Sequence, residues 1–394
     1  MKKYDFHEYA NLFPMMDDNT FNSFVTDIKN VGLHDKIIMI YEDKILDGRN
    51  RYRACQVLNI EPDFKKYIGR DPLGYVLSLN LERRHLTESQ KATVAVEILP
   101  LIEMEAKKRM SMGGKGVERI PPLNQRKSRD DAAKVVGVNP HYVSDAKKLK
   151  KEEPELFEKV KKGTITLPEA FKEKKKTDRK KLAEQGKNII LTSEDIDLRF
   201  GDFKQLLQDI PDNSIDLILT DPPYPYEYIE FWSDLSNLAS RVLKSSGFCV
   251  VYSGQMHLPE VMQRLNENLQ YYWTFCLYHE GKTQIVNGVN LICRWKPVLI
   301  YQKFPRKKLE ITTQDYVINS IREKGQHDWQ QGEDGVKKLI EIFSEPGDII
   351  LDPFAGTATI LSCAKKLKRK SIGCEIEEQT FNIAKKRLNE VQPQ

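Results

Sequence analysis

The chain has 394 residues, too many for one ordinary core, so two or three domains are expected. Hydrophobic residues make up 40% and charged residues 30%, the balance of a water-soluble globular protein. No apolar run approaches the roughly 18 residues of a membrane helix and no signal-peptide pattern follows Met1, which points away from membranes and toward the cytoplasm. The six cysteines (Cys55, Cys249, Cys276, Cys293, Cys363, Cys374) form no C-x-x-C pair and have no histidine at metal-ligand spacing, so reduced, buried thiols and no metal site are expected. The net charge of +5 is uneven: residues 101–187 hold 24 Lys and Arg against 14 Asp and Glu, a surplus that suits a polyanionic partner or a solvated helix.

In chain order, residues 36–41 read as a strand, Asp47-Gly48-Arg49 as a tight turn, and a helical pattern begins near Arg51. Thr87-Glu88-Ser89-Gln90 is a capping box opening a longer helix, which Pro100 should kink or end. Residues 111–125, rich in Gly and Pro, read as a loop. Ser128 can cap a helix running to Val136, Gly137 suits a turn, and Asn139-Pro140 opens a second helix. Two short helices around a glycine turn make a helix-turn-helix candidate. The lysine-rich stretch 172–187 reads as an exposed helix or tether.

From residue 188 onward strand and helix alternate. Strands are expected at 215–220, 248–252, 348–351 and 371–374, with helices at 227–243, 334–343, after Thr357, and at 377–390. This alternation predicts an open, doubly wound α/β sheet, Rossmann-like in class.

In such a sheet the ligand crevice lies beyond the carboxyl ends of the strands. Asp221-Pro222-Pro223-Tyr224 follows the strand 215–220 and so falls there. The two prolines remove two N–H donors. That leaves carbonyls and the Asp221 carboxylate as acceptors for the N–H groups of an amino substituent. Tyr224 offers a ring on which an extruded base can stack. Further on, Asp352-Pro353-Phe354-Ala355-Gly356-Thr357 is strand, glycine turn, then helix. Gly356 lets backbone approach a ligand, and the helix start that follows favours a carboxylate. Glu375, at the end of the next strand, stands where ribose hydroxyls are received in nucleotide-binding sheets. There is no G-x-G-x-x-G, which favours an adenosine ligand without phosphates.

These two motifs, in this order, resemble the amino-methyltransferases of DNA, in the permuted class whose catalytic motif precedes its cofactor motif. Gly201-Asp202 and His327-Asp-Trp329-Gln-Gln331 are similar to the same class. The resemblance spans nearly all of residues 189–388. It implies S-adenosylmethionine as cofactor, held around Asp352, Pro353, Phe354, Gly356 and Thr357, with Glu375 on the ribose and Asp202 near the adenine. Members that act on N4 of cytosine usually have Ser where this chain has Asp221, so N6 of adenine is the implied target and N4 of cytosine the alternative. Methylation at C5 of cytosine needs a cysteine nucleophile after a proline, and none is present. The stretch 271–304, which holds Trp273, Trp295, Arg294 and Lys296, lies where the amino-methyltransferases keep target recognition and late sheet strands; its aromatics are expected in the core, with base reading as the alternative.

Leu46-Asp47-Gly48-Arg49-Asn50-Arg51-Tyr52-Arg53 and Asn80-Leu81-Glu82-Arg83-Arg84 resemble the ParB/sulfiredoxin-like fold. Residues 128–138 are similar to the helix-turn-helix that follows it in ParB-like proteins. The resemblance implies an α+β domain at 1–110, a helical DNA-binding segment at 111–170, a basic linker at 171–187 and the methyltransferase at 188–394. It also implies a nucleotide triphosphate held by Gly48, Arg49, Arg51, Arg53, Asn80, Arg83 and Arg84, against structural salt bridging as the plainer role of those arginines. Arg49-Asn50 replaces the Glu-Arg pair of ParB, and Asp47-Gly48 stands where sulfiredoxin has its cysteine. Nucleotide hydrolysis and reductase chemistry are therefore not expected. DNA is the expected partner and a homodimer is admitted. The rival reading is a non-catalytic ParB-like partition protein with a vestigial C-terminal domain.

Overall fold

The computed structural model describes residues 3–33, 35–69, 71–83, 86–111, 125–279, 284–286, 289–319 and 333–391; residues 82–83, 102–111, 125–128, 279, 284–285 and 319 are described by backbone alone. The chain divides into two compact units, Met1–Lys176 and Thr177–Gln394.

The first unit opens with α1 (Asp18–Val31), β1 (Ile37–Tyr41), β2 (Lys44–Asp47), α2 (Arg49–Leu58) and β3 (Asp63–Lys66). β1 and β2 form an antiparallel hairpin whose turn residues Glu42 and Asp43 both have positive φ, the backbone that matches the right-handed strand twist. β3 returns parallel to β1 after α2. Gly48, at φ +93°, turns the chain directly into α2, so that helix starts at Arg49 and not near Arg51. Then follow α3 (Pro72–Arg83), α4 (Glu88–Ser111), α5 (Gln125–Val136), α6 (Pro140–Glu152), α7 (Pro154–Lys162) and α8 (Leu167–Lys187). Thr87 and Gln90 form the expected capping box, with Gln90 N donating to Thr87 Oγ1 at 3.3 Å and Thr87 N to Gln90 Oε1 at 3.2 Å. The helix does not end at Pro100, which lies inside α4. Ser128 is likewise interior to α5, which begins three residues earlier. Asn139 caps α6 as expected, accepting from His141 N at 2.9 Å. Ala92, Ala95 and Leu99 of α4 share one core with Ala133 and Val136 of α5, Val143 and Leu149 of α6, and Phe157 and Val160 of α7.

In the second unit, residues 177–187 of α8 are packed onto the last helix and do not form a free tether. There Arg179 donates to Glu377 at 2.9 Å and to Thr380, and Lys385 Nζ donates to the Lys187 carbonyl at 2.8 Å. The strands are β4 (Ile196–Phe200), β5 (Ile215–Thr220), β6 (Leu243–Tyr252), β7 (Gln270–His279), β8 (Gln284–Val286), β9 (Leu291–Cys293), β10 (Trp295–Gln302), β11 (Tyr316–Asn319), β12 (Ile349–Asp352) and β13 (Lys370–Glu375). The helices are α9 (Phe203–Leu206), α10 (Glu230–Val242), α11 (Leu258–Leu265), α12 (Glu333–Phe343), α13 (Thr359–Lys366) and α14 (Glu378–Glu390). Eight strands make one sheet in the order β11-β7-β10-β6-β5-β12-β13-β4. All run parallel except β10, which is antiparallel to both neighbours. β8 and β9 pair as a separate hairpin.

Both faces of the sheet are covered, as a mostly parallel sheet requires. Alternate residues of β5 divide between them. Ile218 faces Trp232 and Leu235 of α10 and Leu265 of α11, while Leu217 and Leu219 face Leu339 and Ile340 of α12 and Ile360 of α13. The result is the expected three-layer α/β architecture. Among the described residues no helix is long and apolar enough to cross a membrane.

Candidate active site

The order of strands fixes where a site can form. From β5 the chain steps outward one way through β6 and then returns to the other side of β5 with β12 and β13. The order therefore reverses between β5 and β12, and a crevice opens beyond the carboxyl ends of those strands. Asp221–Tyr224 leaves β5 and Asp352–Gly356 leaves β12, so both sequence motifs stand at this point. The same edge receives Gly201-Asp202 after β4, Ser253-Gly254 after β6 and Glu375 at the end of β13. Because β10 runs backward, it brings its first residues, Trp295 and Lys296, to that edge.

On the β5 side Asp221 is exposed, Pro222 is buried, and Pro223 and Tyr224 are half-buried. The Tyr224 hydroxyl donates to Asp221 Oδ1. Lys296 Nζ donates to the same hydroxyl at 3.3 Å and stands 4.9 Å from the ring centroid. Burial, reinforced by the Asp221 charge, drives the Tyr224 phenol well above its ordinary range, so it remains a protonated donor at any working pH. A Cβ at Gly254 would lie 3.3 Å from Tyr224 Cβ and Cγ, tighter than most such contacts, so glycine there leaves room for the tyrosine.

On the β12 side Asp352 and Pro353 are buried and shape the loop from inside. Asp352, 1% exposed, accepts from Thr220 Oγ1 at 2.7 Å and from Phe354 N at 3.2 Å, and burial pushes its carboxyl up to about 7. Phe354 is half-buried and joins Phe203 and Phe231 in an aromatic wall, with ring centroids 4.9 and 5.8 Å away. Gly356 has φ +54°, and a Cβ there would meet nothing within 4 Å, so open space lies before it. Thr357 is half-buried beside it. Asp202 caps α9 through Lys204 N at 2.9 Å, and Glu375 Oε1 accepts from Glu377 N at 2.7 Å. The two strand ends are stitched together where Gly201 N donates to the Glu375 carbonyl at 3.0 Å. His327–Gln331 lie outside the described residues.

Several contributors carry no signal in the sequence. Thr220, Phe203, Phe231 and Gly254 have no motif to mark them, and the sequence gives Lys296 no role. The aromatic residues of 271–304 also divide: Phe275 and Tyr301 are core, but Trp273 and Trp295 are 52% and 39% exposed. Trp295 is at the sheet edge, and Trp273 keeps its indole N–H on Asp315 at 3.2 Å.

Among the described residues, the arginines near Gly48 are engaged within the protein. Arg49 is buried, donating to Asn11 Oδ1 at 2.9 Å and to the Phe13 carbonyl at 2.5 Å. Arg51 pairs with Asp35 and with Asp47 at 2.9 Å. Arg53 lies 4.3 Å from the Phe21 ring centroid, and Asn80 donates to the Val76 carbonyl at 2.8 Å. Guanidiniums already bonded to carbonyls and carboxylates have little left for phosphate, and the carboxylates would repel it. These partners support the plainer, structural role for Arg49 and Arg51, and nothing in the fold supports a nucleotide at Gly48, Arg53 or Asn80. The side chain of Arg83, and Arg84 altogether, lie outside the described residues.

Residues 215–386 match the sequence model of the N6/N4 family described as DNA methylase. This match lies wholly within the second unit. Its curated relatives include the type II methyltransferase M.HpaI of Haemophilus parainfluenzae, 27% identical over 227 residues that cover 46% of this chain and 71% of that protein. The DNA adenine methyltransferase YhdJ of Escherichia coli (strain K12) is 26% identical over 238 residues, 48% of this chain and 81% of its own. Among solved structures, the M1.HpyAVI–SAM complex matches with a TM-score of 0.41 at 23% identity, covering 49% of this chain and 99% of that one. The methylase match begins at Ile215, the first residue of β5, and takes in both loops of the crevice.

Proposed function

We propose that the protein is an S-adenosylmethionine-dependent DNA methyltransferase that modifies an exocyclic amino nitrogen, N6 of adenine. The observation that carries this reading is the pairing of an acceptor-rich loop, Asp221–Tyr224, with an open glycine loop, Phe354–Gly356, on adjacent strands at the reversal of the sheet.

The residues on the β12 side fit such a cofactor. Gly356 leaves open the space a side chain would fill, Phe354 supplies an apolar wall, and Glu375 and Asp202 offer carboxylates at the neighbouring strand ends. When bound, S-adenosylmethionine supplies an electrophilic methyl group on a sulfonium. The chain's own work is on the acceptor. The Asp221 carboxylate and the Pro222 carbonyl accept the two N–H bonds of the target amine, turning its lone pair out of the ring and toward the methyl. Tyr224 stacks on the extruded base. Its hydroxyl must leave Asp221 for the amine to dock, while Lys296 Nζ donates to the hydroxyl oxygen from the other side. With the methyl passing to nitrogen and its C–S bond electrons returning to sulfur, Asp221, which is exposed, would take one amine proton and release it to water. Transfer is direct, with no covalent link to the protein.

Asp221 in place of serine supports adenine, as does the adenine specificity carried in the name of YhdJ. The same acceptors would serve N4 of cytosine, the second reading. Mass spectrometry of nucleosides from DNA treated with the enzyme is the test. N6-methyladenine is expected, and N4-methylcytosine as sole product would overturn the assignment.

The first unit is read as a ParB-like domain with a helix-turn-helix, α5 and α6 around Gly137, that adds DNA affinity. Gly137 has φ +67°, and α6 exposes Lys147, Lys148, Lys150 and Lys151. Phosphate contacts of that kind give affinity without sequence information.

A further inference from the structure

The loop 353–358 has an unusual backbone, with Gly356 at φ +54° and Ala358 at φ +59°. Glycine adopts that region freely, whereas alanine stays there only when its surroundings hold it. Ala358 is fully buried and caps α13 with no side-chain hydrogen bond of its own. Its two neighbours are held by one guanidinium. Arg387 Nη1 donates to Thr359 Oγ1 at 2.6 Å, to the Thr357 carbonyl at 3.3 Å and to Thr357 Oγ1 at 3.4 Å.

Arg387 is itself anchored. Its Nη2 donates to Glu333 Oε1 at 3.4 Å, and Glu333 Oε2 accepts from Lys366 Nζ at 2.7 Å. Glu333 belongs to the first turn of α12, Lys366 to the last turn of α13 and Arg387 to the last turn of α14. The three side chains are 14%, 19% and 15% exposed, so solvent and salt screen them poorly. Burial alone would raise the Glu333 carboxyl, but Lys366 and Arg387 outweigh it and hold the group below its ordinary range. The charges therefore persist at neutral pH, and three helices meet behind one strained loop.

Resting on the reading of that loop as the cofactor cradle, we propose that Arg387 is a positioning residue for S-adenosylmethionine. With Glu333 behind it, Arg387 keeps residues 353–358 in the shape that receives the cofactor. It acts through Thr357 and Thr359.

The test is calorimetric titration of the full chain with S-adenosylmethionine, alongside steady-state methylation of DNA. Arg387→Met is expected to raise both the Kd and the KM for cofactor about tenfold, with kcat at saturating cofactor within about threefold. Arg387→Lys, which keeps the charge but not the fork, should fall between. Thr359→Val removes the shortest of the loop contacts and should raise Kd less. Combined with Arg387→Met it should add nothing, because both changes cut the same link. General destabilisation would lower the active fraction and give additive effects. Arg387→Met binding cofactor like the parent, or an additive double variant, would overturn the proposal. If Arg387→Met does not fold, Arg387→Lys with Thr359→Val completes the same cycle, and parental affinity or additivity there would overturn the proposal equally. A parent chain that binds no S-adenosylmethionine would overturn the underlying reading instead, a result visible before any variant is made.

Discussion

Thr220 Oγ1 donates to Asp352 Oδ1 across 2.7 Å, joining the last residue of β5 to the last residue of β12. Both residues are buried, and each stands one step before a functional loop. The bond fixes the spacing between the Asp221–Tyr224 loop and the loop that faces the open space, so under the proposed function it is a positional constraint on methyl transfer.

The same pair makes stability depend on pH. The Asp352 carboxyl lies at about 7 in the folded protein, because burial disfavours its charge. Unfolded, it returns to about 3.9. Between those values the folded chain holds a proton that the unfolded chain has released. This group's contribution is therefore fully present at the acid end and is lost as pH rises toward about 7, at no more than about 1.4 kcal/mol per pH unit. Asp352→Asn keeps the shape and an acceptor for Thr220 but cannot titrate. Denaturant unfolding at several pH values should show a flatter profile for the variant over that window. Identical profiles would mean that Asp352 is already ionised in the fold.

Asp221→Ala should separate chemistry from cofactor binding. The carboxylate is exposed and follows β5, not the glycine loop after β12, so S-adenosylmethionine affinity should stay close to that of the parent chain. Methyl incorporation into DNA should fall by about 100- to 1,000-fold or more, the order expected when a polar group aimed at the transition state is removed. An Asp221→Ala enzyme of ordinary activity would sink the mechanism.

Gly356→Val should do the reverse. A β-branched residue at φ +54° costs about 1–2 kcal/mol in backbone strain, and its methyls enter the open space. Cofactor Kd should rise by at least about 100-fold, roughly 3 kcal/mol, while thermal stability falls only modestly. Calorimetry reporting parental affinity would show that the cofactor lies elsewhere.

The boundary of the second unit can be tested by truncation. A chain of residues 177–394 keeps Arg179 on Glu377 and the end of α8 on α14, and should fold, bind S-adenosylmethionine and methylate concentrated DNA. Its DNA affinity should be lower. Its salt dependence should be shallower by about one unit of slope for each phosphate that residues 1–176 would have neutralised. A chain beginning at residue 188 should melt at a lower temperature than the one beginning at 177. A folded, cofactor-binding 177–394 that never methylates would place the first unit in catalysis.

The second unit was legible because its information is local and periodic. Asp221–Tyr224 and Phe354–Gly356 follow apolar strands whose ends must share an edge, and Gly356 has the positive φ that favours glycine. What stayed hidden depends on pairing across the fold. Thr220 is an ordinary strand residue until β12 lies beside it, and Arg387 looks like any charged residue of a terminal helix until Thr357 and Thr359 come within reach. In the first unit the arginines near Gly48 suggested an anion site. Only tertiary structure brings Asp35 to Arg51, and Asn11 and the Phe13 carbonyl to Arg49. Pro100 does not end α4 because its rule concerns a missing hydrogen bond, and the packing of α4 against α5, α6 and α7 outweighs one such loss.

The reversed direction of β10 has a consequence for how such a site can diversify. β7 ends, and β10 begins, at the edge that carries the crevice, and the β8–β9 hairpin belongs to the connection between them. Lengthening a connection of this kind is cheap: doubling its length adds only about 0.6 kcal/mol of closure entropy. Segments of different size and composition can be spliced in there while the ladder β7-β10-β6 keeps its register. The mouth can acquire new contacts, and the spacing of the loops that follow β5 and β12 need not change.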